Sequence, residues 1–365
     1  MVNRVMILGS INVDSIYQVT RFPQPGETIA VKQKSYAPGG KGANQAVAAA
    51  RSGAKVSFIG AVGADNDGQE MVKTLAENNV DTSRIAVDPD NGTGSAVITV
   101  DENGQNDIMV YGGANQATTV VQLDDLEQEL AGTDFIVAQL ETPQEVTLAA
   151  FKLARQQNVI TILNPAPATE LLPELLEYTD IIIPNETESS LLTGISVNDE
   201  PSMLQNAKFF KAHGVKDTII TLGEQGVFYV TADGHHGLVP AFKVNPVDTT
   251  LTGISVNDEP SMLQNAKFFK AHGVKDTIIT LGEQGVFYVT ADGHHGLVPA
   301  FKVNPVDTTA AGDTFIGALS SQLSPNLGNF ESAITYAQRA SSLAVQGMGA
   351  MPSIPLAEEV EKALG

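Results

Sequence analysis

Short apolar runs alternate with amphipathic stretches along most of this chain. The run 5–8 is continuously apolar and closes at Gly9, as expected of a strand buried on both faces. Runs 56–62, 135–138, 159–163 and 181–183 repeat that pattern, and the stretches 69–78, 123–130 and 143–156 space their apolar residues as helices do. This alternation predicts an α/β fold, with a central, mostly parallel sheet carrying helices on both faces. Two regions break the rhythm. Residues 15–38 scatter Ile16, Val19, Phe22 and Ile29 among polar residues, Pro23, Pro25 and Gly26, while 95–100 and 107–111 read as a hairpin across Asp101-Glu102-Asn103-Gly104. Together these regions, about 15–38 and 94–111, predict a small β lid outside the main sheet. Further on come a helix at 203–213, strands at 218–222 and 226–230, a β-like approach at 239–244, and two helices at about 314–322 and 331–346.

The pattern then repeats itself literally. Residues 192–250 and 251–309 are the same 59-residue string. Drifted repeats with a period of roughly 20–50 residues suggest a solenoid, whereas two perfect copies indicate a duplication within one domain. Only the second copy runs on into Ala310-Ala311-Gly312-Asp313.

Charge and composition narrow the function classes. A formal charge of −21 disfavours nucleic acid and anionic membranes, which attract basic patches. The chain has no Cys, which excludes disulfides and thiolate chemistry. The first apolar run is too short for a signal segment, and no run approaches the roughly 18 apolar residues of a membrane span. A cytoplasmic protein is expected. All six His fall in the repeat; the adjacent pair His235-His236 and its twin His294-His295 sit in turn-like strings, a weak metal signal.

In an open α/β sheet, ligands lie beyond the carboxyl ends of the strands. The polar and Gly-rich strings fall there. Asp307-Thr308-Thr309-Ala310-Ala311-Gly312-Asp313 opens an apolar-faced helix. Unpaired N–H groups at such a start bind anions, and Asp313 in the first turn could act as general base for a hydroxyl attacking a phosphoryl group. The alternative is that Asp307 or Asp313 merely caps the helix. Gly39-Gly40-Lys41-Gly42-Ala43-Asn44 is a second glycine-rich helix entry, but not a P-loop; tight strand–helix packing explains it as well as ligand binding. Asn12 and Asp14 after the first strand suit either a polyol or a turn. Asn185 and Glu188 either hold Mg²⁺ through water or form a capping box.

Taken in order, these strings resemble the ribokinase-like (PfkB) carbohydrate kinases over the whole chain once one copy is removed. The resemblance rests on 39–46 near the start and 307–313 near the end, with support from Gly9-Ser10-Ile11-Asn12-Val13-Asp14. It implies ATP-dependent phosphorylation of D-ribose at O5, with deoxyribose or another pentose as the nearest rival substrate. Asn12, Asp14, Gly40, Lys41, Gly42, Ala43, Asn44 and Glu141 would line the sugar site together with Asp313, the base. Ala310, Ala311 and Gly312 would form the anion hole. Asn185 and Glu188 would serve Mg²⁺ and the phosphates, and Thr280, Leu281, Gly282, Glu283, Gln284 and Gly285 would lie along ATP. An activating K⁺ would sit among Asp307, Thr309, Ala344, Gly347, Gly349 and Ser353. The lid would also make a homodimer contact. Such chemistry depends on positioning and charge stabilisation, with the lid excluding water.

The family pattern needs one segment between Glu188 and Ala310, and the chain offers two. A surplus looped out at Thr250 would interrupt the anion-hole turn, whereas one in the polar stretch 194–202 would fall in a surface loop. The expectation is therefore a kinase domain of residues 1–198 with 258–365, copy two filling the sheet and 199–257 surplus. A ligand-binding but catalytically impaired protein is the alternative of another class.

Overall fold

The computed structural model describes residues 2–102, 106–239, 277–280, 286–289, 295–298 and 307–364. In chain order the strands are β1 (Arg4–Leu8), β2 (Asn12–Gln18), β3 (Gln33–Gly39), β4 (Lys55–Gly63), β5 (Val80–Asp88), β6 (Gly94–Val100), β7 (Asn106–Tyr111), β8 (Phe135–Ala138), β9 (Ile160–Leu163), β10 (Ile181–Ile182), β11 (Asp217–Thr221), β12 (Val227–Val230), β13 (His236–Val239), β14 (Thr277–Thr280), β15 (Val286–Val289) and β16 (His295–Val298).

Nine of these strands form one sheet in the order β13-β12-β11-β10-β9-β8-β1-β4-β5. Its pairs from β11 through β5 are parallel, and β12 and β13 add antiparallel strands at one edge. This is the mostly parallel α/β sheet expected from the alternation. Residues in β1 alternate between two cores. Val5 and Ile7 pack with Phe58, Val47, Phe315 and Leu319 on one face; Met6 and Leu8 pack with Ile136, Phe151, Leu175 and Phe210 on the other. All are essentially fully buried, each contributing about 1.5–3 kcal/mol of transfer free energy. A helix face covers each side because apolar strands of this kind cannot leave either face in water.

The two regions that broke the rhythm form a second, four-stranded sheet in the order β3-β2-β6-β7. β2 pairs in parallel with β6, Asn12 opposite Gly94, and antiparallel with β3, Asn12 opposite Gly39. The hairpin β6–β7 is present, although residues 103–105 of its turn lie outside the described set. β2 follows β1 after three residues, so Asn12 and Asp14 stand where the two sheets join.

The copy assignment departs from expectation. β11, β12 and β13, which complete the main sheet, all belong to copy one. Residues 199–257 are therefore not simply surplus, and the division into 1–198 with 258–365 does not describe this structure. The physical reason lies in connectivity. Copy one directly follows β10 through a helix Glu186–Thr193, a left-handed Gly194 and a helix Glu200–Ala212 whose N-cap, Asp199, accepts the Ser202 N–H at 2.9 Å. A crossover of ordinary length thus delivers β11 beside β10. The compact units reflect this: Met1–Leu222 with Val227–Val239 and Pro305–Gly365 form one, and Gly223–Gly226 with Pro240–Asn304 the other. Within the second unit, β14, β15 and β16 of copy two form a three-stranded antiparallel sheet. The expected approach at 239–244 lies outside the described residues apart from Val239. Among the described residues no helix is long and apolar enough to cross a membrane.

Candidate active site

The helix Lys41–Arg51 starts abruptly after β3. Its N-cap, Gly40, has φ 90°, a left-handed conformation that glycine adopts without penalty. A Cβ there would also meet the backbone of Asn12 and Ser10 at 2.8 Å. This turn delivers Lys41, Asn44 and Gln45 to the carboxyl end of β1. The helix Ala311–Gln322 enters from the other side of the site. Its N-cap, Ala310, has φ 61°, a strained value for a residue with a Cβ. Asp313 is therefore in the first turn, as the sequence predicts.

Asp313 is buried and held by two amides. Asn44 Nδ2 donates to Oδ2 at 3.1 Å, and Gln45 Nε2 donates to Oδ1 at 3.0 Å. Burial raises its pKa; the nearby Lys41 charge and the two amide donors oppose that rise, and Glu141 adds to it. Gln45 is itself fixed, its Nε2 also donating to Asn164 Oδ1 at 3.1 Å and its Oε1 accepting from Gln139 Nε2 at 2.6 Å. The base candidate is thus orientated by a buried amide chain.

Glu141, Glu188 and Asp313 share one ammonium, Lys41. Burial alone would depress the Lys41 pKa, but Asp313, Glu141 and Glu188 outweigh it and hold the amine charged. The Asp14 carboxyl is pushed up to about 6 by burial, then by Glu141 and Asp313. Glu141 Oε2 accepts from Ser10 Oγ and from the Lys41 N–H, the latter at 3.1 Å. Asn12 Oδ1 accepts from Asn115 Nδ2 at 2.8 Å, and Asn115 Oδ1 takes the Ile11 N–H at 2.9 Å. The expected residues Asn12, Asp14, Gly40, Lys41, Gly42, Ala43, Asn44, Glu141 and Asp313 therefore share one locality. Ser10, Gln45, Asn115, Gln139 and Asn164, for which no role was expected, complete it.

The metal-side candidates adopt the capping box. Asn185 Oδ1 accepts the Glu188 N–H at 2.8 Å, and Glu188 Oε2 accepts the Asn185 N–H at 2.9 Å. The box occupies Oε2 of Glu188, whose pKa is raised by burial, lowered by the cap and by Lys41, and raised by Asp313. Asn185 bridges to Thr221, whose N–H reaches the Pro184 carbonyl at 2.9 Å. Thr221 is the copy-one twin of Thr280. Of the expected nucleotide wall Thr280–Gly285, Thr280 ends β14 in the three-stranded sheet, and Leu281, Gly282, Glu283, Gln284 and Gly285 lie outside the described residues. The twin at the end of β11 stands beside Asn185 because copy one fills the sheet.

At the anion-hole turn, the Ala311 N–H is engaged by the Thr308 carbonyl at 3.2 Å, and a Cβ on Gly312 would meet nothing within 4 Å. Asp307, from copy two, is tied to the loop after the helix Phe330–Ala344. Its Oδ1 accepts the Thr309 N–H and its Oδ2 the Gly349 N–H, both at 2.9 Å. Burial raises the Asp307 pKa, but these donors bring it below the usual carboxylate range. The Gly347 N–H meets the Ala344 carbonyl at 3.0 Å, and Ser353 packs on Gly347. Among the described residues no three His, Cys, Asp or Glu side chains gather into a metal cluster. A lone carboxylate amid carbonyls and hydroxyls suits a hard monovalent cation better than a multi-carboxylate ion site. His235 precedes β13 and His236 begins it; both are exposed and stand apart from this chemistry.

The family model described as pfkB family carbohydrate kinase matches residues 2–253 and 250–357. The chain is 42% identical over 359 residues to the bifunctional ribokinase/ribose-5-phosphate isomerase A of Fructilactobacillus sanfranciscensis, covering 98% of this chain but 55% of that protein. It is 40% identical to the ribokinase of Staphylococcus aureus, covering 99% of this chain and all of that one. The structure of Arabidopsis thaliana ribokinase complexed with ribose and ATP matches with a TM-score of 0.79 at 26% identity, covering 100% of this chain and 99% of that one.

Proposed function

The chain belongs to the pfkB family of carbohydrate kinases, and from that premise we propose that it transfers the γ-phosphoryl group of ATP to O5 of D-ribose. The observation that carries this reading is the buried Asp313, held by Asn44 and Gln45 at the first turn of a helix that opens on Ala310. A carboxylate with a raised pKa is a better proton acceptor near neutral pH than an exposed one. It receives the hydroxyl proton as the sugar oxygen attacks, while N–H groups at the helix start stabilise the transferring charge.

The sugar would lie against Asn12, Asp14, Lys41, Asn44 and Glu141, residues fixed by the turn at Gly40 and by the Ser10 and Asn115 contacts. Their carboxylates and amides match a ligand rich in hydroxyls. The same carboxylates would repel a nucleotide polyphosphate, so the reading includes cations that offset that charge. Asn185 and Glu188 would hold Mg²⁺ through water, and Mg²⁺ when bound neutralises phosphate charge. Asp307, Thr309, Ala344, Gly347, Gly349 and Ser353 fit K⁺, and the Asp307–Gly349 tie links that loop to the anion-hole turn. Thr221 and Leu222 at the end of β11 take the nucleotide side. A cytoplasmic location accords with a kinase of this kind and with the absence of Cys.

The small sheet would act as the lid and as a homodimer contact. Its edge strand β7 exposes Ile108, Met109, Val110 and Tyr111, and an unpaired apolar edge invites a partner strand. Met109→Glu should shift the sedimentation of a dimer towards the monomer; an unchanged dimer would remove this contact. The substrate reading is tested by ADP release with a panel of pentoses. Ribose should give the highest kcat/KM, and a preference for 2-deoxyribose or another pentose would replace the substrate assigned.

A further inference from the structure

The two copies fold the same way in different settings. In copy one Thr218 pairs with Val230 and Thr221 with Val227; in copy two Thr277 pairs with Val289 and Thr280 with Val286. The next pair of strands repeats the match, Val227 with Val239 and Val286 with Val298. The three-stranded unit therefore forms with the same register whether or not β10 lies beside it. β11 spends its other edge on β10, Ile181 opposite Asp217, whereas β14 ends its sheet and has no second partner among the described residues.

We propose that the two copies are interchangeable occupants of the sheet position beside β10, so that a lesion in either copy alone is compensated by the other. The contacts that dock copy one are available to copy two because its residues are identical. They include the Gln338 Nε2 donor to the Val239 carbonyl at 3.0 Å and the Tyr229–Phe330 ring contact at 5.6 Å. The chain cost does not separate the two threadings. With copy one in the sheet, 59 extra residues lie between β13 and Asp307; with copy two, the same number lie after Thr193. Closure cost rises only with the logarithm of loop length, and both copies are tethered at high effective concentration.

Because the chain has no Cys, introduced pairs report single contacts. Ile182 stands opposite Thr218, within disulfide range for neighbouring strands. Ile182→Cys with Thr218→Cys traps copy one, and Ile182→Cys with Thr277→Cys traps copy two. Both pairs should give an intrachain crosslink under mild oxidation, each in more than about a tenth of molecules. A crosslink with Thr218→Cys but none with Thr277→Cys overturns the proposal. The buried Ile219 and its twin Ile278 supply an independent measurement. Ile219→Asp and Ile278→Asp should each leave the folded yield within about twofold, and the double variant should lose more than tenfold. A loss with Ile219→Asp alone equal to that of the double variant contradicts exchange.

Discussion

At Asp14 the proposed sugar contact is tied to charge. Its carboxyl titrates at about 6 because it is buried beside Glu141 and Asp313. A carboxylate binds sugar hydroxyls best when charged, so kcat/KM for ribose should fall as pH drops through 6, and Asp14→Asn should flatten that limb of the pH–rate profile. An unchanged limb in the variant would assign it to another group. Stability runs the other way. The folded pKa lies above the unfolded one, so the charged form penalises the fold; the penalty is complete above pH 6 and fades as pH falls towards 4. Asp14→Asn should therefore raise Tm at pH 8, on the order of 2 kcal/mol after allowance for screening, and gain nothing at pH 4. Residues of this kind were legible where they cluster in sequence: Asp313 follows small residues at a helix start, and Asn44 follows a glycine-rich turn. Asn115 and Asn164 were not. Asn115 and Asn164 are single buried amides brought in by distant parts of the chain with no local spacing to mark them, whereas Gln139 lies in the polar string that ends at Glu141.

Among the elements, two helices set the position of the base. The helix Ala311–Gln322 approaches Lys41–Arg51 so closely that a Cβ on Gly317 would lie 2.3 Å from the Gln45 carbonyl and 2.5 Å from the Ala48 Cβ. Gly317→Leu should destabilise the protein by about 1–3 kcal/mol in thermal unfolding. By shifting Gln45 against Asp313, it should also lower kcat more than it raises KM. Loss of stability with wild-type kcat would show that the crossing holds the fold but does not aim the base. The hydrophobic pattern revealed most strands and helices at this scale, because the buried runs in β1, β8 and β9 admit one reading. It did not reveal β5, whose Asp81, Thr82, Ser83 and Arg84 break the apolar signal at an edge of the sheet. Nor could pattern alone say which of two identical strings, Thr221–Gly226 or Thr280–Gly285, follows the main sheet.

At the scale of the whole molecule, the duplication divides its work. Copy one supplies β11, β12 and β13, and copy two supplies Asp307, Thr308 and Thr309, which lead into the proposed anion hole at Ala310. The sequence correctly located the copy that joins Ala310, because covalent order fixes it. Either copy satisfies the strand pattern, so the sequence alone does not say which fills the sheet; in this structure copy one does. The account holds that this assembly leaves a working phosphoryl-transfer site with Asp313 as its base. The most direct test measures ribose-dependent ADP formation by the full chain and by its Asp313→Asn variant, with the single-copy chain as reference. That reference is one sequence, since removing 192–250 or 251–309 gives the same protein. The account predicts turnover by both duplicated and single-copy chains, and a kcat lower by about 10²–10⁴ in Asp313→Asn with ribose affinity little changed. Turnover undiminished in Asp313→Asn, or none by either the duplicated or the single-copy chain, would contradict it.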